Sequence, residues 1–142
     1  MEVTLGRVIN LETAGKERTR LTKAVVIAIR ELMHQSQPDD NTRDLAAFIS
    51  LALDAIAGTI DSSVEAWEKR GYWVKADHFR MDWAWSSRLA GNMRLAVLTE
   101  DWLKVAQTVA QVAERLNGIH IPQHHRMGTP WVGAYRKMKG EK

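Results

Sequence analysis

Four long segments place their apolar residues three and four positions apart, and short polar breakers separate them. That spacing puts the apolar side chains on one face of an α-helix. The first segment runs from Leu11 to Ser36, with Leu11, Ala14, Leu21, Val25, Ala28, Ile29 and Leu32 on one side. "QSQPDDNT" breaks it, because Pro38 disfavours helix before it and the Asp-Asp-Asn-Thr cluster supplies caps. The second runs from Thr42 to Arg70 with a broad apolar face, Leu45 to Trp67, and a narrow acidic stripe of Asp54, Asp61, Glu65 and Glu68. Gly71 is a left-handed stop. The third spans Trp73 to Leu98. Thr99 reads as the N-cap of the fourth, which carries Trp102, Val105, Ala106, Val109, Val112, Ala113 and Leu116 on one face and ends at Asn117-Gly118.

Connections this short force neighbouring helices antiparallel. The expected fold is all-α, an up-down-up-down four-helix bundle with a C-terminal irregular tail. The expected division is a bundle domain over 1–117 and a basic, loop-rich tail over 118–142 that packs on the bundle or on a partner. At 142 residues the chain suits one domain. It has no cysteine, which removes disulfides, thiolate metal sites and a cysteine nucleophile. Charges run through its first twenty residues, so no signal peptide is expected, and no uninterrupted apolar run approaches the roughly 20 residues of a membrane span. The expectation is a cytoplasmic protein without membrane contact.

The stretch "YWVKADHFRMDWAW", Tyr72 to Trp85, holds five of the ten aromatic residues. On a helical wheel Tyr72, Ala76, Phe79, Trp83 and Ala90 cluster within about 60° with Val97 beside them. That is a core face. Trp85 lies on the other side, near Met81 and Leu89, where a bundle helix meets water. An apolar strip there signals contact. Met81, Trp85 and Leu89 are therefore the candidate interaction residues. Trp131 and Tyr135 of the tail are candidate cover, or anchors for a partner such as a second copy in a homodimer.

Several chemistries fit poorly. Glu31-x-x-His34 is the chain's one Glu-x-x-His, whereas dimetal bundles need two, and the acidic stripe points away from the predicted core. Glu65-x-x-Glu68 resembles the Glu-x-x-Glu of the all-α nucleotide pyrophosphohydrolases, but the Glu-x-x-Asp expected on the next helix is missing. His120, His124 and His125 are dense enough for zinc or nickel, yet Pro122 breaks helical spacing and neither acid nor thiol stands near. No cofactor motif is present, and neither metal nor cofactor is expected.

Two further readings remain. Lys16, Arg20, Lys23 and Arg30 form a stripe about 21 Å long on the first helix, able to meet phosphates along a nucleic acid. The tail adds five cations against one acid, +4 of the total +3, leaving −1 elsewhere. Arg115-Leu-Asn-Gly-Ile-His120 resembles the Arg-x4–6-His motif of the HEPN ribonucleases. That resemblance covers six residues and implies a dimeric helical nuclease using Arg115 and His120. Here leucine follows the arginine, where the family carries a polar residue, and Asn-Gly interrupts the helix. The leading expectation is a non-enzymatic helical interaction module, self-associating or a small subunit of a larger assembly. Nucleic-acid contact is the alternative and the nuclease a second one.

Overall fold

The computed structural model describes residues 11–140. The first ten residues assigned above to the bundle, and Glu141 and Lys142 of the tail, lie outside the described residues. The protein is an all-α, up-down-up-down four-helix bundle with a short C-terminal piece: α1 Leu11–Leu32, α2 Asp40–Lys69, α3 Trp73–Leu98, α4 Trp102–Arg115 and α5 Ala134–Met138.

Helix α2 is the axle. It packs chiefly against α3 and α1 and also carries α5. Leu45, Ile49, Leu53 and Ile56 are fully buried along it; burying each of these side chains contributes roughly 1.5–3 kcal/mol. By length and hydropathy α2 could cross a membrane, but its apolar surface is turned into the bundle. Two buried serines tie α2 to α3: the Ser50 hydroxyl donates to the Ala90 carbonyl at 2.9 Å and Ser86 to that of Leu53 at 2.7 Å. Among the described residues no buried side-chain N or O lacks a hydrogen-bond partner.

Local chemistry sets the helix ends. The Asp39 carboxylate accepts from the Thr42 N–H at 2.9 Å and caps α2. Gly71 takes φ +81 and turns the chain into α3. The first helix stops at Leu32, four residues earlier than its apolar pattern suggests. The expected cap of α4 needs correction. The Thr99 hydroxyl bonds back to the Leu95 carbonyl at 2.8 Å and closes α3 instead. Asp101 caps α4, accepting from the Lys104 N–H at 3.1 Å. Between them Glu100 sits at φ 52, where its carboxylate takes the Arg43 guanidinium at 3.0 Å.

After Leu116 the chain runs back over α1 and α2. Arg30 donates to the carbonyls of Ile121 and Pro122 at 3.1 and 3.4 Å. Both oxygens of Asp44 accept backbone N–H groups, from Gly133 at 3.0 Å and Tyr135 at 2.9 Å. Trp131, Ala134 and Met138 are buried. Ile27, which interrupts the polar side of α1, is 1% exposed one turn before Arg30, consistent with the tail's passage along that side.

Candidate functional site

The expected wetted strip on α3 is corrected by the length of α4. Met81, Trp85 and Leu89 do share one side, but α4 lies against its upper part. Trp85 is 6% exposed and Leu89 1%, while Met81 below them is 68% exposed. The Arg115 guanidinium, at the end of α4, lies 5.9 Å from the Trp85 ring centroid. Trp85 is thus buried within the single chain, with Arg115 of α4 over its ring. Tyr72 departs from the expected core face and is 53% exposed. Trp131 is buried at the head of the tail, and Tyr135 is half-buried with the Lys139 ammonium 4.4 Å from its ring.

Below the end of α4 the aromatics stack on one another. Trp67 meets Phe79 edge-on at 4.9 Å, Phe79 is 6.4 Å from Trp83, and Trp83 stacks on Trp85 at 5.6 Å. Arg18 closes this row from α1. Its guanidinium stands 4.8 Å from Phe79 and 6.0 Å from Trp83, and donates to the Thr59 hydroxyl and carbonyl and to the Ser63 hydroxyl. Burial lowers its pKa from the usual arginine value. The sequence held a signal for Arg18, since it falls between Ala14 and Leu21 on the apolar side of α1.

The basic stripe is largely occupied. Lys16 pairs with Glu12 at 3.0 Å, Arg20 with Glu17 at 2.8 Å, and Arg30 holds the tail. Lys23 is exposed. Arg20's bond holds the Glu17 carboxyl below its ordinary range. Arg115 and His120 are both exposed, and α4 ends at Arg115, so the two do not share a helix. His120 and His124 are exposed. The His125 Nδ1 accepts the Met127 N–H at 3.2 Å, and no metal-ready group of three ligands occurs among the described residues.

One concavity among the described residues was not anticipated. α4 packs on α3 and barely touches α1. Between α1 and α4 a groove of about 620 Å³ remains, with Ile29, Leu32 and Met33 on one wall, Trp102, Val105 and Val109 on the other, and Ala106, Ala110 and Ala113 opening it outward. Met33 on its wall is 76% exposed, and Leu103 on the outer side of α4 is 72% exposed. The signal lay in α4, whose apolar arc is wider than one neighbouring helix can cover.

No family model, no curated protein and no solved structure matches this chain.

Proposed function

We propose that this protein is a non-enzymatic helical interaction module that associates with a second copy of itself through the α1/α4 groove. The observation that carries the reading is the open apolar groove beside exposed Met33 and Leu103. Contiguous apolar surface of this kind marks contact sites. Ala106, Ala110 and Ala113 carry little bulk, so the two α4 helices can approach closely.

The test is molecular mass in solution by equilibrium sedimentation. The wild-type mass should rise with concentration from 16.1 kDa towards twice that value. Leu103→Glu combined with Ala110→Glu should hold it at the single-chain mass with an unchanged helical spectrum. Met81→Glu, on α3 away from the groove, should leave association intact. A wild-type chain of single mass at every concentration overturns the reading.

A further inference from the structure

We propose that the α2–α3 turn docks this protein on bilayer surfaces rich in anionic lipid. The turn reads Lys69-Arg70-Gly71-Tyr72-Trp73-Val74-Lys75. Tyr72, Trp73 and Val74 are 53%, 60% and 71% exposed, three consecutive apolar side chains at the tip of a helical hairpin. Lys69, Arg70 and Lys75 flank them, all exposed, and none has a carboxylate within 4.0 Å among the described residues. The nearest acids in sequence, Glu68 and Asp77, are both taken by Arg80. Lys75 lies 4.6 Å from the Trp67 ring, which keeps its charge beside the turn.

Aromatic rings beside cations suit the headgroup layer, where the ring body meets acyl chains and its polar edge stays wet. Each Lys or Arg near an anionic surface adds about 1 kcal/mol of attraction. A protein partner fits less well. Three side chains at the tip of a hairpin offer far less than the roughly 800 Å² per partner of a stable protein interface. A bilayer needs no matching shape. The expectation of no membrane contact rested on the lack of a spanning segment, and surface docking requires none. The turn follows the C-terminus of α2, whereas the groove borders its N-terminal Thr42, some 45 Å away along a 30-residue helix. The inference therefore does not depend on self-association.

The experiment is co-sedimentation of the full chain with vesicles of phosphatidylcholine, alone or mixed with phosphatidylserine. Binding should require phosphatidylserine and weaken as salt rises. Lys69→Ala with Arg70→Ala should weaken it about thirtyfold, from about 1 kcal/mol per cation and tenfold per 1.4 kcal/mol. Trp73→Ser with Val74→Ser should abolish it while helical content and solution mass stay as in the wild type. Equal partition onto both vesicles overturns the inference. So does no binding to either vesicle, or binding that survives both tip variants. Capture of a soluble acidic protein without vesicle binding overturns it too.

Discussion

Removing the Arg18 side chain tests whether one cation anchors the first two turns of α1. In the stretch from Leu11 to Arg20 Ala14 is buried and Leu11, Gly15 and Arg18 are half-buried, and Arg18 is the long side chain here that bonds to α2. Arg18→Ala deletes three hydrogen bonds, of 3.2 and 3.3 Å to Thr59 and 2.7 Å to Ser63. It also deletes the contacts with Phe79 and Trp83. Thr59 keeps a partner, because its hydroxyl still donates to the Ile56 carbonyl at 2.6 Å. Ser63, at 2% exposed, loses its acceptor role and must recruit water. Bonds to a charged group contribute about 1.5–3 kcal/mol each, but entering water replaces much of that. The ring contacts add about 1 kcal/mol. The net loss should be about 2–3 kcal/mol, seen in denaturant unfolding and as a melting point lower by about 10 °C. Hydrogen exchange should locate it: amides over 15–22 lose protection while those at the centre of α2 keep theirs. Arg18→Met, which keeps an apolar stem on Phe79, should recover about half of the loss. A cost under about 0.5 kcal/mol, or a loss of protection spread evenly over the bundle, would show that this end is held by something else.

Three other outcomes follow from the same contacts. Asp44→Ala orphans the N–H groups of Gly133 and Tyr135. It should cost about 2 kcal/mol and speed proteolysis between 119 and 133, whereas unchanged cleavage would mean that the buried Trp131 alone retains the tail. The Asp39 carboxyl is held below its ordinary value of 3.8 by the Thr42 N–H and hydroxyl. A depressed folded pKa gives stability that is present above 3.8 and lost as pH falls through the lower folded value. Asp39→Asn should therefore flatten the acid limb of a plot of unfolding midpoint against pH, and an identical limb would remove Asp39 as its source. Trp85→Ala should cost about 3–5 kcal/mol in the single chain, read by thermal unfolding at low concentration. A stability like that of the wild type there would return Trp85 to the role of a contact residue.

The helical segments were legible because apolar residues recur at helical spacing between polar breakers, and α3 begins and ends where its pattern does. The cap of α4 was not, because Thr99 and Asp101 are both good N-cap residues two positions apart. The choice fell to Asp101 once the Thr99 hydroxyl bonded back into α3 and Arg43 held Glu100 at a positive φ. A wheel also assumes that a helix keeps the same neighbours along its length. α3 does not: beneath Trp85 it packs on α2 and meets Arg18, and from Trp85 upward α4 covers a second side. The groove escaped for the same reason. Periodicity counts apolar positions on α4 but cannot say that α1 stands too far away to meet them.

One dimension underlies these departures. α4 has 14 residues and α3 has 26, about 21 Å against 39 Å. A fourth helix of full length would cover Met81, lie beside the lower half of α1, and leave no place for a cation over Phe79 and Trp83. The short one ends at Arg115, level with Trp85, so the lower half of the bundle is a three-helix unit closed by an arginine. Above that level α4 is present but set against α3, and its other apolar edge faces the groove. Filling that groove from within is a direct check on the argument. Ala113→Leu adds three carbons on its wall, one helical turn from Val109. Overpacking a closed core costs about 1–3 kcal/mol, whereas an open groove accepts the added carbons at little cost and buries them. The variant should therefore be at least as stable as the wild type in the single chain and associate more weakly. A destabilised variant would mean that α1 and α4 are already in close contact.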